Sequence, residues 1–439
     1  MATIIREPVF IDLATGPVIW SLDNIGTAER FVLQVELEGT IAATIRQTPN
    51  SAGVAHFDIQ EILRQNLSEI NIEETIKATG VKGSALRYRV RYGTETAGTQ
   101  IFTDFSDFKV VLNGYKAWHE IDWADRLDYV ADFEDVLCID STPIRAIEQT
   151  NLLTNSPVTE LRSDDWYTLS LVNFHRTPLV PDVNATPWAV EILLYEQGIL
   201  LDEVYYTLKE PLIGPRQDCL DALVPLLDKD QVLHVGVGPE NLRGLSPSVD
   251  VDNADQIIVN IRAYNSCLQP PISDCDDPDE IKLYLGATWA TKEFTIVNDC
   301  TKFDPVQVSF QNQFGATDYY TFIRRNERED RINRTEYLKT PGSWNSAIFD
   351  IDTNERGSSV ISSAIQSEIT VSTDWVDDAT SLWLRELFLS PNIKAYYEGA
   401  WTPVVSMTQT YEEKTHARNN KLYRYDIRLK LANNIRVQR

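Results

Sequence analysis

The chain has 439 residues, of which 43% are hydrophobic and 24% are charged, and its formal net charge is −25. This composition is typical of a globular protein large enough for several hydrophobic cores, and it excludes extended disorder. The acidity disfavours specific binding to nucleic acid or to an anionic membrane surface, since both need clustered Lys and Arg.

Neither a secretion signal nor a membrane span is expected. Residues 1–7 lack the basic and apolar layout of a signal peptide, and no apolar run reaches the length of a transmembrane helix. We therefore expect synthesis in the cytoplasm. The cysteines are widely spaced and form no C-x-x-C pair, which indicates free thiols and no zinc knuckle: Cys138, Cys219, Cys267, Cys275 and Cys300.

Residues 1–114 have the pattern of a β-sandwich domain. Apolar and polar residues alternate in segment 31–37, and in segment 86–92 the arginines share one face. Segment 57–67 predicts a short helix that crosses between strands, with Asp58 as its cap.

A second β-sandwich domain is predicted for residues 166–270. Its strand pair, polar turn, short helix and final strands follow the same order as in residues 1–114. This order indicates an internal duplication with a spacing of about 160–170 residues. Residues 115–165, in which aromatic side chains alternate with acids, are expected to connect the two domains.

A linker and a third domain complete the chain. Residues 271–280 contain prolines and several acids, which favours a solvated connection without regular structure. Residues 281–439 predict a β-rich C-terminal domain with one helix near 375–390, for which Asp374 is a plausible N-cap.

The C-terminal domain is expected to include a hairpin and a charged loop. Strands at 306–310 and 318–322 enclose the turn 312–315, and segment 323–336 holds five arginines and four acids. We expect the charged segment to be a solvent-facing loop or hairpin tip. The fold class that follows is mostly β, with tandem antiparallel β-sandwich (Ig/FN3-like) domains and a few short helices.

The end of the chain is basic although the whole is acidic. From residue 414 to residue 439 there are eight basic residues and one acid. A solvated strand face with a tail, a contact with an acidic patch on another subunit, and a nucleic-acid contact are the three interpretations. The candidate subunit contacts are Arg424, Arg428, Lys430, Arg436 and Arg439.

No pattern predicts a metal or a cofactor. The acids at 250–255 and 274–280 could offer oxygen ligands to a hard cation, but neither cluster has the spacing of an EF-hand. Gly236-Val237-Gly238-Pro239 follows a strand without the rest of a phosphate-binding fingerprint and predicts a turn. The sequence has no nucleophile elbow, and its five histidines are interpreted as surface or core residues.

Glycoside hydrolysis is the chemistry hardest to exclude from a sequence. It needs only two carboxylates beside aromatic platforms, and chance pairs are frequent in an acidic chain. The best candidate places are segments 118–123 and 164–167. Sugar binding without cleavage needs only aromatic faces with polar edges. We expect no enzymatic activity.

Several short motifs carry a resemblance to a known group of proteins. They are Thr48-Pro49-Asn50, Phe57-Asp58-Ile59, Ile62-Leu63-Arg64, Asn312 with Phe314-Gly315, Asp318-Tyr319-Tyr320-Thr321-Phe322, Trp383-Leu384-Arg385-Glu386-Leu387 with Ser390-Pro391, and the tyrosine-rich final strand. In these motifs the chain resembles structural proteins of tailed bacteriophages that infect Bacteroidetes, crAss-like phages included.

The resemblance implies a component of the virion in the tail, the neck or a ring on the portal axis. Such a protein is made in the host cytoplasm, forms homo-oligomers and docks other virion proteins, without a cofactor. One alternative is a receptor- or glycan-binding tail fibre or binding module that contacts a host surface glycan. A polysaccharide-degrading enzyme is the other alternative.

Overall fold

The structure is a computed structural model, and it describes residues 2–8, 11–37, 39–68, 71–76, 79–81, 83–115, 138–139, 142–143, 152–173, 187–208, 231–245, 249–264, 277–283, 285–298, 301–339, 341–344, 346–351, 354, 357–408, 423–432 and 435–438. The described part is mostly β and contains several antiparallel sheets. It divides into unit 1, residues 1–299 with 311–319, and unit 2, residues 300–310 with 320–439.

Unit 1 contains the strands and helices of the first two-thirds of the chain. Its described strands are β1 (Thr3–Arg6), β2 (Ile11–Thr15), β3 (Ile19–Asp23), β4 (Arg30–Leu37), β5 (Thr40–Gln47), β6 (Ala55–Asp58), β7 (Thr79–Val81), β8 (Ala85–Thr96), β9 (Thr99–Phe102), β10 (Lys109–Tyr115), β11 (Cys138–Ile139), β12 (Thr142–Pro143), β13 (Glu160–Arg162), β14 (Thr168–Asn173), β15 (Pro187–Glu196), β16 (Ile199–Thr207), β17 (Gln231–Gly236), β18 (Gln256–Tyr264) and β19 (Leu285–Val297). Its described helices are α1 (Gln60–Arg64), α2 (Pro239–Leu245) and α3 (Pro278–Leu283).

Unit 2 is built on strands from the last third of the chain. The described strands there are β20 (Val306–Gln311), β21 (Thr317–Phe322), β22 (Glu327–Leu338), β23 (Ser358–Ser372), β24 (Ile393–Tyr397), β25 (Ala400–Ser406), β26 (Asp426–Leu431) and β27 (Ile435–Gln438), with the helix α4 (Asp378–Leu389). Among the helices described in either unit, none combines the length and apolar character that a bilayer crossing requires.

Module 1 of unit 1 consists of two sheets over a shared core. A three-stranded sheet has the order β1-β3-β6, and a six-stranded sheet has the order β2-β10-β8-β4-β5 with β9 against β8. Strand β2 runs parallel to β10, and the other pairs are antiparallel. Trp20 and Phe57 from the small sheet pack in one cluster with Phe31, Tyr88 and Val90 from the large sheet.

The arginine face of β8 is covered by aromatic rings. Arg87 lies 3.8 Å from the ring centre of Phe108, and Arg89 lies 4.2 Å from that of Phe105. The Arg89 Nε also donates a hydrogen bond of 2.6 Å to the buried carboxylate of Glu36. The shared arginine face that the sequence predicts therefore packs against the chain that follows β9, where cation–π contacts and an ion pair compensate its charge.

The larger sheet of module 2 repeats the topology of the larger sheet of module 1. The five-stranded sheet of module 2 has the order β13-β19-β18-β15-β16, with β13 parallel to β19, and its three-stranded sheet has the order β14-β17-β7. The sheet β2-β10-β8-β4-β5 has the same order and the same parallel edge pair. The larger sheets thus share one strand order, and the internal duplication stays a prediction.

One cross-strand pair of the same two residue types occurs in both modules. In module 1, Ser21 Oγ lies 2.8 Å from His56 Nδ1, and in module 2, Ser170 Oγ lies 2.9 Å from His234 Nδ1. Both pairs face each other directly between antiparallel neighbours in the small sheet. His56 is exposed, whereas His234 is buried.

Segments from distant parts of the chain complete module 2. Strand β7, which lies between module 1 strands in the sequence, pairs with β17. The turn between β20 and β21 also belongs to unit 1, where the Asn312 Nδ2 donates to the Leu153 carbonyl (2.8 Å) and the Tyr319 hydroxyl donates to Thr168 Oγ1 (3.1 Å). Asn312 is fully buried, so this turn is part of the packed interior.

The observed units differ from the predicted boundaries at 270 and 281. Strand β19 lies in the sheet of module 2, between β18 and β13, although the sequence assigns it to the C-terminal domain. The physical reason is its pairing, since β19 satisfies the backbone groups of β18 along most of its length. Most of segment 115–165 and of linker 271–280 lies outside the described residues.

Unit 2 is one large sheet with a helix packed on one face. The sheet order is β21-β20-β24-β25-β26-β23-β22, with β27 also against β23. On α4, Trp383 packs on Phe310 at a centroid distance of 5.4 Å, and Leu384 and Leu387 are buried.

The helix α4 begins later than the predicted cap. The Asp377 carboxylate accepts a hydrogen bond from Thr380 N at 2.8 Å, so Asp377 is the N-cap. Asp374 forms an ion pair of 2.6 Å with Arg324, whose hydrogen bond lowers the pKa of Asp374. Leu382 is exposed because the helix turns Trp383 and Leu384 toward the sheet.

A substitution at Gly315 tests the packing of the buried turn. A Cβ there would lie 2.4 Å from the Asn113 carbonyl group, and the φ of +81° disfavours any side chain. We expect Gly315→Ala to lower the free energy of unfolding by about 2–4 kcal/mol in urea titrations. Gly98→Ala is the matched control, because Gly98 has a φ of +82° but open space around its Cβ, and it should cost about 1 kcal/mol. Equal losses would contradict the close approach.

The burial of His234 predicts that the stability of module 2 depends on pH. Burial lowers the pKa of His234 to about 4, compared with about 6.5 in an unfolded chain. Between these pH values only the unfolded chain binds the proton, so about 3 kcal/mol of stability is lost as the pH falls from about 6.5 to about 4. In urea titrations, His234→Gln should flatten this dependence and His56→Gln should not. An unchanged slope in the His234→Gln variant would contradict the assignment.

Candidate interaction surface

A long hairpin is the most exposed regular element that the structure describes. Strands β22 and β23 pair antiparallel in a register that runs from Glu327 opposite Thr370 to Leu338 opposite Ser358. All twelve residues of β22 are exposed, which gives the hairpin a length of about 40 Å. Segment 323–336 is therefore largely a hairpin strand and not the predicted loop or tip, because its backbone pairs with the Ser-, Ile- and Val-rich β23.

The end of the hairpin carries exposed apolar side chains. Leu338 is 86% exposed, Ile348 is 77% exposed and Trp344 is 68% exposed. We define the apolar tip as Leu338, Trp344, Ile348, Phe349 and Ile351. Exposed apolar side chains that cluster in this way typically mark an interaction surface.

The apolar tip has a defined local structure. The rings of Trp344 and Phe349 pack edge to face with centroids 5.1 Å apart. Ser343 N donates to the Asp350 carbonyl, and Asp350 N donates to Ser343 Oγ, at 2.9 and 2.8 Å. Gly342 has a φ of +102°, and a Cβ there would lie 2.6 Å from the Phe349 ring. The loop therefore holds its aromatic side chains in place before any partner binds.

The edge of β22 is the second feature of this surface. The strand is last in the sheet order, and its partner β23 lies on one side only, so its other edge has no strand against it among the described residues. Its side chains carry charges of both signs along the sequence Glu327-Arg328-Glu329-Asp330-Arg331. An exposed edge strand offers a row of backbone donors and acceptors to another chain.

The basic residues predicted as a subunit contact lie mainly on the neighbouring strands. Arg428 Nε is 3.9 Å from Glu368 Oε2, and Arg331 lies 3.6 Å from the other oxygen of this carboxylate. Glu368 is only 2% exposed, so these two guanidinium groups compensate a buried charge. Lys430 lies opposite Glu368 in the strand register.

The structure describes the other predicted contact residues only in part. Arg424 is exposed and lies 4.0 Å from Asp426. Arg436 is in β27, opposite Ala364, and Arg439 lies outside the described residues. The role of the five residues as a subunit contact stays a prediction.

The acidic side chains at 250–255 form hydrogen bonds and an ion pair with neighbouring residues. Asp252 pairs with Arg243 at 2.6 Å, Asp255 accepts from Gln197 N at 2.7 Å, and Asp250 accepts from Asn253 at 2.9 Å. Within the described ranges, no three His, Cys, Asp or Glu side chains are grouped to hold a metal. Residues 274–276 of the second cluster lie outside those ranges.

The glycines at 236–239 have a packing role. A Cβ at Gly236 would lie 1.9 Å from the Thr75 carbonyl oxygen, and one at Gly238 would lie 2.3 Å from Tyr167 N. The short helix α2 follows the predicted turn directly, and its Asn241 accepts from Tyr167 N at 2.8 Å. These glycines allow the backbones of module 2 to approach each other closely.

The structure describes one of the two segments that the sequence offers for carbohydrate chemistry. Segment 118–123 lies outside the described residues. In segment 164–167, Asp165 accepts from Arg162 N at 2.9 Å and Asp164 lies 3.4 Å from Arg162 Nε. These two carboxylates stabilise the turn after β13. Like segment 118–123, three histidines and four of the five cysteines lie outside the described residues; the histidines are His119, His175 and His416.

Comparison with known proteins supplies no relative. The sequence matches no protein-family model, and a search of curated proteins found no significant match.

Two arginines on unit 2 give a matched test of the buried carboxylate. Arg428→Met leaves Glu368 with less compensation, so we expect the free energy of unfolding to fall by about 1–2 kcal/mol. Arg424→Met removes only an exposed pair and should cost less than about 0.5 kcal/mol. Urea unfolding of both variants measures the difference, and equal losses would contradict the role assigned to Arg428.

Proposed function

We propose that the protein is a non-enzymatic structural component of a phage virion. It oligomerises in the tail, the neck or a ring on the portal axis, and it docks other virion proteins. The observation that carries this proposal is the hairpin of β22 and β23, with its exposed edge and apolar tip. An element with little interior of its own is best explained by the surface that it offers to other chains.

The architecture of unit 1 supports the proposal. We propose that modules 1 and 2 are tandem Ig/FN3-like β-sandwiches, since each combines a three-stranded sheet with a larger one. Tandem sandwiches present sheet edges at regular intervals, and such edges suit ring contacts and docking. The acidic chain and its basic C-terminal strand offer complementary charges for these contacts, with Arg424, Arg428, Lys430 and Arg436 as the proposed residues.

The motifs that resemble phage structural proteins have structural roles in this fold. Asn312 and Phe314 form the buried turn in unit 1, and Trp383 and Leu387 form the buried face of α4 in unit 2. Motifs that hold turns and cores are those that a building block needs. They support a virion role, and virion localisation is part of the proposal.

Binding to a host surface glycan is the second proposal. The Trp344 ring is largely exposed, and its Nε1 donates to the Pro341 carbonyl at 3.0 Å, which holds the indole in one orientation. A fixed aromatic face with polar groups around it suits a sugar ring. A glycan array tests this proposal, and loss of a signal in Trp344→Ala would assign it to the tip.

Self-association of the full chain tests the structural proposal. Size-exclusion chromatography with light scattering should give a mass that is a multiple of 49.9 kDa. Trp344→Ser with Ile348→Ser should weaken the assembly about tenfold or more, because burial of each side chain contributes about 1.5–3 kcal/mol. Ile101→Ser with Ile199→Ser is the control, since both residues are exposed on other hairpins.

Mass spectrometry of purified particles tests the virion role directly. We expect the protein in the particles in several copies. A strict monomer that is absent from particles would overturn the proposal.

A further inference from the structure

We infer that β22 pairs edge to edge with the β22 strand of a second copy, antiparallel, about a two-fold axis at Ile332. This inference rests on the proposed function, because it specifies how two subunits of the proposed oligomer are joined. Its support comes from the register rules of antiparallel strands and from the order of charges in β22.

The strand is regular enough to pair over its whole length. Its alternation continues without interruption from Glu327 to Leu338, and the register shift in the hairpin places the extra residue on β23, between Val360 and Ser362. The outer edge of β22 faces no other strand among the described residues. A second copy can therefore continue the sheet without displacing a known neighbour.

Strand geometry restricts how β22 can pair with itself. Alternate residues direct their backbone N–H and C=O groups to opposite edges, so residues that face each other must both point toward the partner or both away from it. For two identical antiparallel strands, this rule means that the two-fold axis passes through one residue paired with its own copy. Only the registers centred on residues 331, 332, 333 and 334 then pair nine or more residues of the strand.

The register centred on Ile332 is complementary in charge. It places Arg328 opposite Glu336 and Asp330 opposite Arg334, and the two-fold symmetry repeats each pair. Ile332 meets its own copy at the centre. Opposite charges that face each other across strands stabilise the pairing, and no like charges face each other within the strand in this register.

The three competing registers place like charges opposite each other. A centre at Arg331 or at Arg334 sets that arginine against its own copy. A centre at Asn333 sets Asp330 against Glu336, twice. Like charges that face each other directly are destabilising, so the charge pattern selects Ile332.

The fold already holds the relevant side chains on one face. The Arg328 guanidinium lies 4.7 Å from the ring centre of Tyr397, and Ser367 Oγ donates to Asp330 at 2.6 Å. Ile332 lies opposite Ile365 in the hairpin register and is 50% exposed. Pairing about Ile332 would extend this isoleucine pair into a ladder across the dimer.

Charges on an edge strand often prevent pairing with other chains. That role requires repulsion in every register, whereas β22 is self-complementary in one register and repulsive in the three competing ones. Such a pattern selects one partner strand in one alignment, which is the function of an interface.

The same register gives the apolar tip a place to bind. Leu338 of one copy would lie beside Asn326 of the other, about 20 Å from the axis. The tip would then extend past the base of the hairpin of the second copy, where Trp375 is exposed next to the ion pair of Arg324 with Asp374.

A charge exchange tests the register. Asp330→Arg and Arg334→Asp each create two like-charge contacts in the dimer, and we expect either change to raise the dissociation constant about tenfold or more in sedimentation equilibrium. The double variant Asp330→Arg with Arg334→Asp restores opposite charges and should return within about threefold of the wild type. Arg30→Glu, an exposed reversal on module 1, is the control and should have no effect.

The outcomes separate this inference from the proposed function. A chain that never self-associates overturns both. A chain that self-associates, but whose double variant is as weak as the single variants or whose single variants have no effect, overturns only the pairing of β22.

A cysteine at the axis provides a second measurement. In this register the two Ile332 Cα atoms lie about 4.5–5.5 Å apart, within disulfide range, so Ile332→Cys should form a covalent dimer on mild oxidation. Thr335→Cys, whose two copies would lie about 20 Å apart, and the wild-type chain are the controls. Cross-linking of the Thr335→Cys variant as rapid as that of the Ile332→Cys variant would contradict the register.

Discussion

The hydrogen-bonding demand of strand edges is the constraint on which the architecture of this protein depends. Each edge strand carries a row of N–H and C=O groups that need a partner. In unit 1 the chain meets this demand with distant segments: β7 completes the small sheet of module 2, and β13 pairs parallel to β19. At the end of the sheet in unit 2, β22 has no strand on its outer edge among the described residues. Strand β22 differs from the other edge strands in the exposure of all its twelve residues, and this exposed edge is the basis of the proposed function.

Duplication explains the order of unit 1, and divergence explains its details. Both modules use the same strand order in their larger sheets and the same Ser–His cross-strand pair. The histidine is exposed in module 1 and buried in module 2, so the same pair of residue types lies in different environments. Close backbone approaches at Gly114, Gly236 and Gly315 then bring segments from distant parts of the chain into one unit.

The sequence predicted local structure well where a periodic pattern was strong. Alternation identified β4 and β8, with the arginines of β8 on one face and its apolar residues on the other, and the helix predicted near 375–390 became α4. The prediction is wrong at segment 323–336, where the dense charge predicts a loop or hairpin tip and the structure has a paired strand. A strand that is exposed on both faces carries no apolar alternation, so its pattern is invisible until its partner β23 is known.

By itself, the sequence determined a mostly β protein with a repeated order of elements, because side-chain alternation and turn residues act over a few positions. Only the tertiary structure decided which segments share a sheet, as with β19 in module 2 and the turn at Asn312 in unit 1. It also decided that the charged segment is a paired edge with an apolar tip at its end. The choice of sheet partners depends on backbone pairing between residues far apart in the chain. Backbone groups are the same for almost every residue type, so the amino-acid pattern of a strand does not identify its partner.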